Sequence, residues 1–398
     1  MDYLSVWSRF RRLVRPRLAD PAACAPFRYP EGRYGNGELK YIHGLPVLRL
    51  QGTPEEIGAQ TAILGLKPAA GRLLHYPSDL LHFFFYSRLV SQLLFRRLTR
   101  IGRGMVSRFS TSYRRELESL IEAGGFSRDP IVAANTMLDM KNMGVAGLFG
   151  CSSLVVDAAR SATGGPLFGR NMDFFGSGYL QYYGLVLVYP RGAERQHAFV
   201  SVGFPGAIGC SSGMNDAGLA AASHEIFDPV TRRKFNSKGL PYALAYRQIL
   251  EQCATVEEAY SFLQSIKPAT STSLVICDHR GGAVFEVCPD RVVQRSCIDG
   301  LAVCSNHYCT VELANPRQRN TYGTLERLVT LREGMPPDGR FSITDVHVRL
   351  HAVHQGELTL QAMIFEPAAL RMHLSLGPKL PATANELTTL DLASLWGH

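Results

Sequence analysis

The residues most able to do chemistry lie where Gly150 precedes Cys151, with the run Gly169–Asp173 (GRNMD) a short distance further along the chain. A cysteine that becomes a chain N-terminus carries an α-amine with an ordinary pKa of about 7.7–8.0 beside its own thiol. That amine can take the thiol proton near neutral pH, so the nucleophile and its base belong to one residue. The arrangement predicts a nucleophilic cysteine that is unmasked when the chain cuts itself between Gly150 and Cys151.

Two charged residues of the GRNMD run complete this hypothesis. The fixed positive charge of Arg170 favours the thiolate form of a nearby cysteine. The carboxylate of Asp173 can hold and polarise an α-ammonium group. Two alternatives stay open from the residues alone: a cysteine at the start of a strand is commonly a packing residue, and Arg170 with Asp173 can form a simple ion pair.

These residues need a rigid support, and the chain pattern changes at Cys151 to provide one. Residues 151–159 and 166–174 are apolar segments separated by a Gly-rich turn, which predicts a β-hairpin. Strands and helices then alternate in a way typical of antiparallel sheets covered by helices. The predicted strands are 182–190, 197–205, 219–226, 272–278, 282–289 and 301–308, and the predicted helices are 241–252, 255–266 and about 318–333.

The first 150 residues differ in character from the rest. Residues 1–40 are basic and rich in Pro and Gly, which predicts an irregular arm, and residues 41–53 predict one strand. The remainder is mainly helical, with expected helices at 53–66, within 73–98, at 111–126 and at about 129–143. The apolar stretch 73–98 carries arginines, so it is either a core helix or an amphipathic surface that meets lipid.

Composition narrows the class of protein. The formal net charge is +8 and the pI is about 9.0, but zinc-finger spacing and RNP-like strands are absent, so nucleic acid is not an expected partner. The nine cysteines form no CxxC pair, and the N-terminus has no apolar signal-peptide core. No uncharged apolar run reaches 18 residues. A reduced cytoplasmic chain with no metal or organic cofactor is expected.

Four motifs in order carry a resemblance to a known family. The cysteine and GRNMD motifs resemble the start of mature choloylglycine hydrolases and penicillin V acylases. The wider chain, over roughly 45–335, is similar to the acyl-coenzyme A:6-aminopenicillanate acyltransferase family (peptidase C45), related to N-acylethanolamine acid amidase and acid ceramidase. The motifs are Leu50–Gly58, Cys151–Leu154 with Gly169–Asp173, Gly213–Leu219 and Ser305–Tyr308.

The resemblance implies roles for particular residues. Cys151 is the expected nucleophile and, through its amine, the base, while Asp173 orients that amine and Arg170 lies beside the thiol. Asn306 is expected to donate its side-chain amide to the oxyanion of the tetrahedral intermediate. The late arginine of the family aligns best with Arg319, and Arg317 is the alternative. His224 and Glu225 stand near a substrate-pocket position of the family, whereas Asn215 is expected to build a turn.

The resemblance also implies a fold and a function. The expected fold is α+β, a four-layer αββα sandwich of two antiparallel sheets between helices, with a helical propeptide at 1–150 and the catalytic domain at 151–398. The expected enzyme is an autoproteolytic amidohydrolase that cleaves a linear, acyl-chain amide through an acyl-thioester on Cys151, with both fragments staying associated. Two alternatives remain: an acyltransferase that uses an amine acceptor, and an unprocessed homologue that binds lipid or a protein partner. Peripheral membrane contact through 73–98 is a further expectation.

Overall fold

The computed structural model describes residues 26–85, 87–140, 150–227, 229, 235–333 and 339–397. Most of the predicted basic arm and the end of the predicted helix at 129–143 lie outside these ranges. The described residues contain two β-sheets, one of ten strands and one of six. All neighbouring strands are antiparallel except one pair.

The large sheet has the order β1-β2-β3-β6-β7-β8-β9-β10-β11-β12. Its strands are β1 Gly32–Tyr34, β2 Gly37–Ile42, β3 Leu45–Arg49, β6 Leu185–Tyr189, β7 Phe199–Gly203, β8 Ser212–Asn215, β9 Ala220–Glu225, β10 Thr272–Asp278, β11 Gly281–Cys288 and β12 Arg291–Ser296. The small sheet has the order β13-β4-β5-β14-β15-β16. Its strands are β4 Gly150–Val156, β5 Leu167–Asp173, β13 Leu301–Cys304, β14 Thr359–Glu366, β15 Arg371–Ser375 and β16 Thr388–Asp391.

Helices cover the outer faces of both sheets. Those on the large sheet are α1 Pro54–Gln60, which continues through the π-helical segment Thr61–Leu66 into α2 Lys67–Leu73, then α3 Tyr76–Phe85, α4 Arg88–Val106, α5 Thr111–Gly124, α6 Arg128–Thr136, α7 Tyr242–Gln252 and α8 Val256–Ser265. Those on the small sheet are α9 Thr324–Arg332 and α10 Ile343–Ala352, and α11 Leu392–Trp396 closes the C-terminal end.

Three apolar clusters show the layers. Alternate residues of each strand face opposite sides, so Val155 of β4 lies among residues of both sheets in the inner cluster. Its neighbour Leu154 packs outward against Leu350 of α10. On the far side, the helices that pack on the large sheet share a cluster with Leu48 of β3 and Leu274 of β10. The architecture is therefore the expected αββα sandwich.

The first 150 residues are more closely joined to the sandwich than the prediction of a helical propeptide suggests. Residues 32–40 were expected to belong to an irregular arm, but they form β1 and most of β2, and the strand expected at 41–53 is the end of β2 and β3 of the large sheet. Strand β3 pairs in parallel with β6, which lies after Cys151 in the sequence. The parallel pair has no local hairpin to mark it, because its partners are distant along the chain. The two sides of the Gly150–Cys151 bond therefore share one sheet.

The helix starts follow their sequences. The Thr53 hydroxyl accepts from the Glu56 backbone N–H, and the Glu56 carboxylate accepts from the Thr53 backbone N–H. The two residues form a capping box, and Pro54 occupies the first helical position. Gly58 of α1 lies directly against α5, where a β-carbon would come within 2.2 Å of the Glu116 carbonyl oxygen. This glycine lets α1 and α5 pack backbone to backbone.

None of the described helices is both long enough and apolar enough to span a membrane.

Candidate active site

The β4–β5 hairpin sets the position of the cysteine. Cys151 pairs with Met172 and Ser153 pairs with Arg170, so all four side chains point into the space between the two sheets. Gly150 pairs with Asp173 at the open end of the hairpin. A register slip of one residue would turn Cys151 toward the outer helices, and the apolar residues 154–156 and 167–168, all buried, hold the register.

Cys151 is buried, with 5% of its surface exposed. Burial raises the pKa of its thiol, because a thiolate is poorly solvated in the interior. The positive charge of Arg170 opposes that effect and lowers the pKa, whereas the negative charges of Asp173 and Glu225 add to it. Arg170 is therefore the described group that most favours the reactive thiolate.

Arg170 crosses from one sheet to the other. Its side chain is 1% exposed and rises from β5 in the small sheet. Its Nε donates to the Oγ of Ser212 in β8 at 2.7 Å, which is a contact with the large sheet. This bond fixes the guanidinium in the interior beside Cys151.

Asp173 is buried at the end of β5. Its Oδ1 accepts from the Thr359 hydroxyl at 2.6 Å, while Oδ2 has no hydrogen-bond partner among the described residues. A β-carbon on Gly150 would lie 3.0 Å from Oδ2, so this oxygen faces the Gly150–Cys151 junction closely. Burial raises the pKa of Asp173, and the charge of Arg327, whose Nη1 is 3.9 Å from Oδ2, lowers it.

Asn306 follows β13 and meets the junction from the other side. The backbone N–H of Cys151 donates to Oδ1 of Asn306 at 2.9 Å. The Asn306 amide nitrogen Nδ2 donates to the carbonyl of Glu225 at 2.8 Å. The expected role was donation to an oxyanion, but in this structure the amide N–H binds Glu225 and the amide oxygen holds the nitrogen of Cys151.

The arginine that contacts the Cys151 junction is Arg327, whereas the sequence predicted Arg319, with Arg317 as the alternative. Arg327 lies on the inner face of α9, where Nη1 donates to the Cys151 carbonyl at 2.7 Å and Nη2 donates to Asn306 Oδ1 at 2.7 Å. Arg319 and Arg317 are exposed on the loop before the helix. Helical periodicity supplies the missing signal, since Thr324, Arg327 and Leu331 form the buried stripe of α9.

His224 and Glu225 separate because adjacent residues of a strand face opposite sides. Glu225 lines a pocket together with Cys151. His224 points into the space between the sheets, and neither ring nitrogen has a hydrogen-bond partner among the described residues. Burial, followed by the charges of Arg170 and Arg327, holds the pKa of His224 well below its usual range. His224 is thus not a wall of the pocket. Asn215 builds its turn as expected, accepting from Leu219 N–H at 2.9 Å.

The pocket that contains Cys151 is mainly apolar. Residues from both sides of the Gly150–Cys151 bond line it. From the earlier part come Leu73, Tyr76, Ala134, Met137 and Leu138, and from the later part come Met172, Phe174, Leu187, Val202, Phe204 and Tyr242. Its polar lining residues include Cys151, Arg170, Asp173 and Glu225 together with the serines Ser201, Ser211 and Ser223. Among the described residues, no group of three or more His, Cys, Asp or Glu side chains could hold a metal ion.

A two-sheet αββα sandwich with a buried cysteine at the start of a central strand, flanked by arginine, aspartate and asparagine, defines the N-terminal-nucleophile hydrolase class. The chain belongs to the acyl-coenzyme A:6-aminopenicillanic acid acyl-transferase family, whose model matches residues 160–380. The matched range includes Arg170, Asp173, Asn306 and Arg327 and begins after Cys151. The description of this family names an acyl transfer to 6-aminopenicillanic acid.

Other relatives are more distant. An uncharacterised protein of Archaeoglobus fulgidus is 25% identical, and the match covers 46% of this chain and 33% of that protein. The chain therefore spans about a third of the length of this curated relative. A variant of the conjugated bile acid hydrolase from Clostridium perfringens is similar with 14% identity and a TM-score of 0.47, covering 62% of this chain and 94% of that one.

Two further solved structures are similar at the same level. The Caenorhabditis elegans N-acylethanolamine-hydrolyzing acid amidase ortholog has 16% identity and a TM-score of 0.43, covering 60% of this chain and 99% of that one. Penicillin V acylase from Agrobacterium tumefaciens has 16% identity and a TM-score of 0.41, covering 61% of this chain and 88% of that one.

Proposed function

We propose that this protein cuts itself between Gly150 and Cys151 and then hydrolyses a linear acyl amide through an acyl-thioester on Cys151. One observation carries the proposal. Cys151 lies at a junction where Asn306 accepts from its N–H, Arg327 donates to its carbonyl, and the free oxygen of Asp173 faces Gly150. These contacts hold the bond to be cut on both sides of its nitrogen.

The proposed self-cleavage proceeds by an N-to-S acyl shift. The Cys151 sulfur attacks the Gly150 carbonyl carbon, and the C–N bond breaks as the nitrogen takes a proton and becomes an amine. Water then hydrolyses the thioester and releases Gly150 as a carboxylate. The new α-amine can donate to Asn306 Oδ1 and to the free Oδ2 of Asp173, which places it beside its own thiol.

The proposed substrate reaction uses the same residue. The α-amine of Cys151 takes the thiol proton, and the sulfur attacks the substrate carbonyl carbon. The substrate's C–N bond then breaks, and its amine leaves with the proton that the α-ammonium returns. Water then releases the acyl group as an acid. The apolar lining of the pocket favours a long, uncharged acyl chain, because burial of each methylene contributes about 0.8 kcal/mol.

A second candidate is an acyltransferase, which the family description favours. The same side chains serve, and an amine replaces water in the last step. An acyltransferase would exclude water from the thioester, whereas a hydrolase would admit it. An unprocessed, non-catalytic homologue is disfavoured, since Cys151, Arg170 and Asp173 are all present and adjacent.

Intact-mass measurement of the purified chain beside Cys151→Ala tests the cleavage. The expected result is two fragments from the wild type, the second beginning at Cys151, and one chain from the variant. An undivided wild type that also fails to react with thiol-directed acyl probes would overturn the proposal. Supplying an amine acceptor with an acyl amide then separates the two activities, because a transferase forms a new amide in place of the free acid.

We also propose that the two fragments stay together and that the first one contacts membranes. The parallel pairing of β3 with β6 joins the fragments through backbone hydrogen bonds. On α4, which carries five arginines, Leu89 and Leu93 are 67% and 56% exposed, and this surface is suited to an anionic bilayer. Sedimentation with phosphatidylserine vesicles tests the second proposal. Leu89→Asp with Leu93→Asp should lose binding, whereas Val348→Asp, on the opposite helical layer, should keep it.

A further inference from the structure

Two polar side chains of the first 150 residues bind the backbone of a pocket wall that belongs to the rest of the chain. Asn135 of α6 donates from Nδ2 to the Gly206 carbonyl at 2.8 Å and accepts at Oδ1 from the Ile208 N–H at 2.8 Å. Asp139, just after α6, accepts at Oδ1 from the Tyr242 N–H at 3.0 Å. Neither residue was singled out by its sequence context.

Each of these hydrogen bonds satisfies a backbone group that the pocket wall itself does not satisfy. The first N–H groups of a helix have no partner within the helix. Helix α7 begins after Pro241, which provides no side-chain cap, and its first turn has no acidic residue. Asp139, 2% exposed, therefore supplies an acceptor at the N-terminus of α7. The loop at Gly206 turns with φ +94, and Asn135 holds it on both sides of Ala207.

The loop and the helix form one continuous wall. The Cys210 N–H donates to the Ala243 carbonyl at 2.8 Å. A β-carbon on Gly209 would come within 2.6 Å of the Ala243 side chain, so the two backbones are in close contact. From this wall Phe204, Ala207 and Tyr242 face the pocket that contains Cys151. A shift of either element would change the width of the pocket without touching the cysteine.

We infer that Asn135 and Asp139 are positioning residues that set which acyl chains fit beside Cys151, an inference that rests on the proposed hydrolysis of acyl amides. Both residues precede the proposed cleavage site, so after cleavage they belong to the first fragment. That fragment then acts as a lasting part of the substrate pocket, through the two backbone contacts as well as through Met137 and Leu138, which line the pocket directly.

The test compares substrates rather than rates alone. Processed wild type, Asn135→Ala, Asp139→Ala and Asp139→Asn would be assayed with a short-chain and a long-chain acyl p-nitroanilide. The ratio of the two kcat/KM values does not depend on how much enzyme is folded. We expect the two alanine variants to change this ratio by about fivefold, mainly through KM, because uniform binding of the chain is altered and the reacting groups are not. Asp139→Asn keeps an acceptor oxygen and should fall between wild type and Asp139→Ala.

Ser119→Ala is the matched control. It removes a bond from a side chain to a backbone carbonyl, at 2.6 Å to Glu55, within the first segment and away from the pocket. Its ratio should equal that of the wild type. An unchanged ratio in both Asn135→Ala and Asp139→Ala would overturn the inference.

Failure of the proposed hydrolysis can be distinguished from failure of the positioning inference. If the wild type hydrolyses neither anilide, calorimetry would measure the dissociation constants of the corresponding short-chain and long-chain fatty acids. The ratio of these two constants then replaces the kinetic ratio. Hydrogen exchange at Ile208 and Tyr242 adds a readout independent of activity. Exchange should be faster at Ile208 in Asn135→Ala and at Tyr242 in Asp139→Ala, and unchanged protection at both would again contradict the inference.

Discussion

The backbone N–H of Cys151 donates to Oδ1 of Asn306 at 2.9 Å, although the two residues are 155 positions apart in the chain. Arg327 donates to the same oxygen at 2.7 Å, so both neighbours of that atom are donors and the orientation of the amide is fixed. The amide nitrogen Nδ2 of Asn306 must then face the Glu225 carbonyl. Asn306 thus holds the nitrogen that self-cleavage would release.

Asn306→Asp should stall self-cleavage. The second carboxylate oxygen would face the Glu225 carbonyl, where the amide N–H now donates, and two acceptors repel. We expect cleavage to slow by about 10–100-fold, because a buried acceptor left without its donor costs about 1–3 kcal/mol. The two fragments would be quantified by intact mass over time. Asn385→Asp is the control, since the same chemical change occurs in a turn near Lys379, and equal slowing in both variants would contradict the expected role.

Arg327→Met should abolish cleavage while Arg319→Met leaves it near the wild-type rate. Arg327 is buried and contacts the Cys151 carbonyl and Asn306, whereas Arg319 is exposed. Removal of a buried cation also leaves Asp173 less compensated, which can cost about 3–5 kcal/mol of stability. Arg327→Lys keeps the charge and loses the forked geometry, so a folded but slow variant is expected from thermal denaturation and mass measurements. Loss of cleavage in Arg319→Met alone would restore the original assignment.

The contrast between these two arginines shows how far the sequence could lead. Cys151, Arg170 and Asp173 could be chosen because they lie on one predicted hairpin, and local pairing brings them together. Arg319 was selected by alignment through a short loop, where no periodic pattern fixes the register. The buried stripe of α9 points to Arg327 only when its residues are counted at helical spacing.

Most of the structural features that could not be predicted from the sequence depend on pairing between distant parts of the chain. Strand β1 and most of β2 were missed because these short segments join the large sheet only through β3, which pairs with β6 of a distant region. The opposite facings of His224 and Glu225 follow from strand alternation, but which face meets the pocket depends on the packing of the two sheets. The strands β14, β15 and β16 were also not predicted, and they complete the small sheet beside β5.

Arg170→Gln should shift the pH dependence of self-cleavage to higher pH. Burial raises the pKa of the Cys151 thiol and Arg170 lowers it, so loss of this charge raises the pKa further. Below the pKa, each added unit reduces the thiolate fraction about tenfold, so cleavage at neutral pH slows and recovers as pH rises.

The measurement for Arg170 is the cleavage rate after refolding, between about pH 6 and pH 10, a range that brackets the ordinary thiol pKa. Arg371→Gln is the control, because Arg371 pairs with Glu366 in β14 and has a half-exposed side chain. A uniform slowing with no displacement of the profile would show that Arg170 acts on structure instead of on the thiol.

Glu116→Ala should weaken the hold of the first fragment on the second. Glu116 of α5 makes a two-point pair with Arg247 of α7 at 2.8 and 2.7 Å, and both side chains are buried. Breaking a buried pair can cost about 3–5 kcal/mol, and the loss here is at the lower end because Arg247 keeps its pair with Glu251 at 2.9 Å. Glu118→Ala is the matched control on the same helix, since its pair with Arg128 is partly exposed and such pairs contribute about 1 kcal/mol or less. Urea unfolding and size-exclusion chromatography of the processed protein would measure both effects. Separation of the fragments in the Glu116 variant alone is the expected result, and equal stability of the two variants would show that the buried pair does not join them.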